Sequence, residues 1–322
     1  MNCIHCKSKV IYLKERLCKD HFLSFYYKRI EKVVDRLDLH NHQFLIGISG
    51  GKDSASVAFA LSKYTKNFEL LYLDLGITKY SEESKIACEA LATLLHKKLN
   101  IIDFKTDHFT ITEAKRQTMC GKLKGSICGT CGLSKRFYLN KYAWEHDFTT
   151  VITGHNLDDE LAFLMINLKN QDQLQLGRVG PVIKSDQEHK LCCKAKPLYY
   201  LTEKENRLFA ILNNLPVHPG ECPYATDNTQ IEMKEYMNLL EEKFPHFKYN
   251  VTRSIRQLIS NAKEIPSAEK EESSIINCPS CGYATIAGRE QCRFCQTKEQ
   301  VTNNKSTSHK QPVITPKKGQ QE

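Results

Sequence analysis

The run Phe44-Leu45-Ile46-Gly47-Ile48 followed by Ser49-Gly50-Gly51-Lys52-Asp53-Ser54 constrains the fold more than any other stretch: an apolar strand passes through a glycine turn into Ala55 to Tyr64, whose apolar residues have helical spacing. A strand, a tight loop and a helix N-terminus in immediate succession make a phosphate-binding geometry, because backbone amides can approach an anion and the helix end adds positive potential. The alternation continues. Leu70 to Asp74 predicts a second strand, Ser81 to Lys97 a helix, Leu99 to Phe104 a third strand and Thr150 to Thr153 a later one; residues 202 to 214 and 229 to 243 predict helices. Strands alternating with amphipathic stretches predict an α/β fold with a doubly wound parallel sheet covered on both faces.

The two ends of the chain carry a different signal. Cys3-x2-Cys6-x11-Cys18-x2-His21 and Cys278-x2-Cys281-x10-Cys292-x2-Cys295 both have the two-knuckle spacing of tetrahedral structural zinc. Each module is too small to hold together by its own core, so metal binding would supply its folding energy. The predicted organisation is an N-terminal zinc module (1–24), a catalytic domain (25–260), a solvated linker (262–274), a C-terminal zinc module (275–297) and a tail (298–322). The tail is rich in Lys, Gln, Asn, Ser and Pro, and is expected to be disordered.

Charge and cysteine usage narrow the function classes. The formal net charge of +9 favours a polyanionic partner, bound through phosphate contacts and counterion release. The N-terminus has no basic segment followed by an apolar one, and no run approaches the roughly 18 apolar residues of a membrane span. A cytoplasmic protein is expected, and in it 14 cysteines point to metals or catalysis rather than to disulfides.

Three motifs carry chemistry. In Ser49-Gly50-Gly51-Lys52-Asp53-Ser54 the hydroxyls and Lys52 add donors to the backbone amides; the spacing departs from the Walker pattern and resembles the PP-loop of the ATP pyrophosphatases. Gly154-His155-Asn156-Leu157-Asp158-Asp159-Glu160 follows another strand, where open α/β sheets place their ligands, and its paired carboxylates can hold Mg²⁺ against ATP phosphates. Cys128-Gly129-Thr130-Cys131, followed by Lys135-Arg136, has a distant third thiol in Cys222. Three thiolates with an open position suit a 4Fe-4S cluster best, but the residues alone also admit half a zinc site or a persulfide or disulfide relay.

Taken in order along residues 1 to 296, these parts resemble the two-zinc tRNA 2-thiouridine synthetases, the TtuA-like relatives of the cytosolic wobble-uridine thiolases. The resemblance implies that Cys128, Cys131 and Cys222 hold a 4Fe-4S cluster. It implies that ATP meets Gly47, Ser49, Gly50, Gly51, Lys52, Asp53, Ser54, Leu73, Asp74, Gly154 and Asp159, with Lys135 near its phosphates, and that Lys52, Asp53, Lys135, Asp159 and the three cysteines carry the chemistry. The implied reaction adenylates a uridine C2 oxygen and then installs sulfur. Its implied partners are tRNA, a sulfur donor such as a ubiquitin-like thiocarboxylate carrier, and a second copy of the chain. Two rivals remain at this point: a thiolase for another tRNA base such as cytidine, and an inactive zinc protein that binds RNA.

Some residues stay outside this scheme. Cys88, Cys120, Cys192 and Cys193 are expected to be packing or surface residues, and Trp144 and Phe25-Tyr26-Tyr27 to be core aromatics rather than base-stacking ones.

Overall fold

A computed structural model of the chain describes residues 1–107, 109–172, 175–176, 179–225, 228–264 and 275–307. Its centre is a six-stranded sheet in the order β3-β2-β1-β4-β6-β5, from β1 (Phe44–Ile48), β2 (Phe68–Asp74), β3 (Leu99–Asp103), β4 (Thr150–Ile152), β5 (Val182–Ile183) and β6 (Cys193–Ala195). All neighbours pair parallel except β5, which closes the edge antiparallel to β6. Strand β1 reads as a continuous apolar run, not as an alternation, because both of its faces are covered.

One face packs on α1 (Lys19–Arg36), α2 (Lys52–Leu61), α3 (Thr78–Leu95) and, further along the chain, α8 (Glu203–Leu212). The other packs on α5 (Ile111–Met119), α6 (Ile127–Glu145) and the C-terminal helix α11 (Arg293–Thr307). A short α4 (Phe104–Asp107) follows β3, α7 (Leu157–Lys169) follows β4, and α9 (Thr229–Lys243) and α10 (Phe247–Glu264) lie beside α7. No helix is long and apolar enough to cross a membrane. The doubly wound sheet is as expected. Helix α10, which the sequence reading passed over, takes up residues 262–264 of the expected linker, and the rest of that linker lies outside the described residues.

The N-terminal module is not separate from the core. Cys18 caps α1 and His21 stands in its first turn, while Tyr12 packs against Phe22 and donates its hydroxyl to Glu205 on α8 at 2.6 Å. Tyr26 is fully buried and stacks on Phe209 at 3.9 Å, so this aromatic is core. Cys88 and Cys192 are buried and Cys120 is exposed.

The C-terminal module is a hairpin of β7 (Ile275–Asn277) and β8 (Ala284–Ile286) followed by α11. Here the expected disordered tail is corrected. Residues 298–307 continue α11, and Val301 is fully buried in the core under α5 and α6. Polar composition hides one apolar residue placed on the inward face, and the helix is anchored where its first turn carries Cys295 and Phe294, the latter stacked on Phe137 at 3.9 Å. Residues 308–322 lie outside the described residues.

Candidate active site

Helix α2 begins inside the glycine motif, with Gly51 as its N-cap, so Lys52, Asp53 and Ser54 form its first turn. The Ser54 hydroxyl donates to the Gly51 carbonyl at 2.9 Å and accepts from the Ser49 amide at 3.1 Å, which closes the loop on itself. Gly50 has φ +77°, and a Cβ there would come 2.8 Å from the Ser84 carbonyl oxygen. A Cβ on Gly154 would come 2.8 Å from the Ser54 amide nitrogen, so the loop after β4 runs directly against the phosphate loop.

Asp53 is held on three sides. Its Oδ1 accepts from Asn156 at 3.1 Å and Asn206 at 2.8 Å, and its Oδ2 pairs with Lys52 at 3.1 Å. Burial raises its pKa, ahead of the opposing pull of Lys52 and the two amides. Lys52 also reaches Glu203 at 2.7 Å; burial would lower its pKa, but the carboxylates of Asp53 and Glu203 leave it raised.

The acidic motif divides its labour. Asn156 and Asp159 form a capping box at the start of α7, and Asp159 pairs with Lys234 from α9. Asp158 points elsewhere: it is buried, accepts the Glu203 amide at 2.7 Å and pairs with the equally buried Lys248 from α10. Glu160 pairs with Lys196 at 2.6 Å. The expected pair of carboxylates facing the ligand is therefore not formed: of the three, Asp159 alone lines the cavity above the strand ends, because successive helical residues project about 100° apart.

These elements enclose a cavity of about 470 Å³ above the C-terminal ends of β1, β2 and β4. Gly47, Ser49, Asp53, Ser54, Leu73, Lys135, Gly154 and Asp159 line it, together with Cys131 and Cys222. Gly50, Gly51, Lys52, Asp74 and Cys128 do not line it; Asp74 accepts the Gly76 amide at 2.9 Å and so fixes the turn after β2. The sequence reading gave no site role to Tyr80, Ser84, Arg136, His155 or Gln230, which line the cavity too. Only Arg136 and His155 had a signal, through their adjacency to Lys135 and Gly154.

The three cysteines of the middle region form one electrostatic group with Lys135. Cys131 is the largest influence raising the Lys135 pKa, with Tyr80, Cys222 and Cys128 behind it. Burial raises the Cys128 pKa, with Cys131 and Cys222 adding to the effect. Their donor set is all sulfur. Among the described residues, the sets whose ligand atoms all lie within 4.8 Å are the two terminal tetrads, so the trio forms a wider cradle than a single ion requires.

The tetrads fit zinc closely. Sulfurs bound at about 2.3 Å to one tetrahedral ion stand about 3.8 Å apart, and Cys6–Cys18 and Cys281–Cys292 measure 3.7 and 3.8 Å. His21 Nδ1 lies 3.5, 3.6 and 3.2 Å from Cys3, Cys6 and Cys18. Burial raises the Cys278 pKa, but the amides of Cys292, Cys281 and Ser280 outweigh it and bring the thiol down to about 6. The knuckle turn is made by Gly282 at φ +73°.

Comparison with known proteins agrees with this geometry. Residues 24–229 match the family described as the PP-loop domain. Over 320 residues the chain is 33% identical to the tRNA-5-methyluridine(54) 2-sulfurtransferase of Pyrococcus horikoshii, covering 97% of this chain and 99% of that one. It is 32% identical to the enzyme of the same name from Thermotoga maritima, covering 95% and 99%. Among solved structures, the U34-tRNA thiolase NcsA from Methanococcus maripaludis with its [4Fe-4S] cluster superposes with a TM-score of 0.75 at 27% identity, covering 92% of this chain and 95% of that one. Identity of 32–33% over nearly the full length of both chains, with the PP-loop domain matched across residues 24–229, places the chain in the PP-loop family of tRNA 2-sulfurtransferases.

Proposed function

We propose that the chain is an ATP-dependent tRNA-uridine 2-sulfurtransferase whose adenylation and sulfur-insertion steps share one cavity. The observation that carries this reading is the convergence of the phosphate loop, Lys135, Asp159, Cys131 and Cys222 on that single space. ATP lies with its β- and γ-phosphates against the amides of the glycine loop, and Asp53 and Ser54 hold the first turn of α2 in place. The uracil O2 attacks the α-phosphorus; the bond from that phosphorus to the bridging oxygen breaks and pyrophosphate leaves. Lys135 offsets charge on the phosphates, and Asp159 is the carboxylate placed to face Mg²⁺. A sulfide-level nucleophile then adds at C2 and AMP departs with the former O2, leaving the 2-thiouracil.

Cys128, Cys131 and Cys222 would hold the 4Fe-4S cluster, which supplies an iron with an open coordination position suited to sulfur. The two tetrads would hold structural zinc. The three relatives at 32–33% identity carry position 54 in their names, which favours the T-loop uridine as the target.

The test is metal and sulfide analysis of anaerobically purified protein beside Cys128→Ala, Cys131→Ala and Cys222→Ala, with 2-thiouridine formation read by nucleoside mass spectrometry. We expect about two zinc and about four iron per chain, with iron and thiolation lost and zinc kept in each variant. Thiolation retained in all three would overturn the cluster assignment, and zinc without iron in anaerobic wild type would move the chemistry to persulfides on the same cysteines.

A further inference from the structure

The lysines on the phosphate-loop side of the cavity are all matched. Lys52 pairs with Asp53 and Glu203, Lys234 with Asp159 and Glu203, and Lys248 with Asp158. The opposite side is different. Arg136, one residue past Lys135 on α6, is exposed and lines the cavity. Its guanidinium lies over Gly132, where a Cβ would come 3.2 Å from Nη1, so the glycine keeps the wall open beside it. Among the described residues no carboxylate pairs with its guanidinium, and the Cys131 thiol is a titratable group acting on it.

Lys194 on β6 is half-buried, and its charged surroundings are Arg136, Lys196 and the Cys192 thiol. Lys194 pairs in register with Val151 of β4, which lies in the core on the α6 side of the sheet, and Lys196 follows just past the end of β6; Glu160 serves only Lys196. His155 lines the same cavity, and Lys196 and Arg136 both act on its ring. Among the described residues, then, Arg136 and Lys194 act on each other and neither is paired with a carboxylate. Two like charges in each other's field repel, and a bound anion relieves that repulsion.

Resting on the function proposed above, we infer that Arg136 and Lys194 form a subsite for an RNA backbone phosphate beside the base that enters the cavity. The nucleotide's own phosphates are provided for at the glycine loop. A base reaching between that loop and the cysteines must bring its flanking phosphodiester past the mouth, and that is where Arg136 is exposed. A guanidinium fork matches two phosphate oxygens, and Lys194 adds a point charge from the strand behind it. Contacts of this kind position the RNA and carry no sequence information.

The test uses anaerobically purified full-length chain as wild type, Arg136→Gln, Lys194→Gln and the double variant. Fluorescence anisotropy with an unmodified tRNA transcript gives Kd across a KCl series, and ATP affinity and iron and zinc content are measured on the same samples. Each single variant is expected to bind tRNA several-fold more weakly, with the slope of log K against log salt reduced by roughly 0.7–0.9 for the one phosphate no longer neutralised, and with ATP affinity and metals unchanged. An unchanged slope in variants of a wild type that binds and thiolates tRNA would overturn the subsite alone. A fall in ATP affinity matching that for tRNA would reassign both cations to the nucleotide, and iron loss in Arg136→Gln would reassign the arginine to the sulfur cradle; either overturns the inference. A wild type that binds no tRNA would overturn both the subsite and the function on which it rests.

Discussion

The backbone N–H of His218 donates to the carbonyl of Gly50 at 2.8 Å, which ties the segment leading to Cys222 to the turn of the phosphate loop. The same histidine ring packs edge-on against Tyr80 at 5.1 Å between centres and faces Glu83 at 3.6 Å, both on α3. Gly50 is thus gripped from two sides, by His218 and by Ser84. Nucleotide loop and third cysteine are consequently parts of one packed unit.

Gly50→Ala tests that unit. The alanine would have to adopt φ +77° with its Cβ 2.8 Å from a backbone oxygen that cannot rotate away. The left-handed conformation alone costs about 1–2 kcal/mol, and the contact adds to it. We expect ATP affinity and iron content to fall together in this variant, whereas independent sites would let one fall without the other. Calorimetric ATP titration beside iron analysis separates the two outcomes.

Lys248 and Asp158 make a second prediction. Both side chains are 3% exposed, and Asp158 also receives the amide that starts α8. Lys248→Met would leave the carboxylate buried without its cation, at a cost of about 3–5 kcal/mol. The double variant Asp158→Asn with Lys248→Met should recover much of that loss, since two neutral side chains leave no stranded charge. Denaturant unfolding of wild type, Lys248→Met, Asp158→Asn and the double variant measures the coupling; equal losses in Lys248→Met and the double variant would show that the pair does not act as a pair.

This pair also marks how far the sequence could be read. The strand-loop-helix unit, the sheet and the metal tetrads were legible because each is encoded locally, in apolar runs, a glycine turn or paired knuckles. The roles within Asp158-Asp159-Glu160 were not. Three adjacent carboxylates look alike until their lysines arrive, and Lys248 arrives from 90 residues away. Helix α10, which brings it, was passed over, and the burial of Val301 was concealed by its polar neighbours. His155 and Arg136 sat inside or beside recognised motifs, yet only the cavity gave them a surface to face.

His155 supplies a pH prediction. Its ring opens on the cavity, but surrounding protein lowers its pKa first; Lys196, Arg136 and Lys135 oppose Asp159, and the result is about 4 against an ordinary 6.5. Between those values the unfolded chain binds a proton that the folded chain does not, so this residue makes the fold less stable as pH falls from 6.5 towards 4, with no further change below. His155→Gln should flatten that part of the stability curve while leaving stability at pH 8 nearly unchanged. Histidine NMR titration of the folded protein should show the 155 ring neutral at pH 6; a midpoint near 6.5 would contradict the assignment.

Val301 tests the corrected C-terminus. It is fully buried in the cluster that contains Phe294 and the α5 and α6 side chains, while Gln300 beside it is exposed. Truncation to alanine removes two methyl groups from a packed site, worth about 2 kcal/mol. Gln300→Ala touches no core and should stay within about 0.5 kcal/mol of wild type. Were residues 298–307 a solvated tail, the two substitutions would be equally silent in thermal unfolding. A destabilised Val301→Ala beside a neutral Gln300→Ala, both with full zinc, would instead show that α11 past its cysteines is part of the core and helps to hold the C-terminal module against α6.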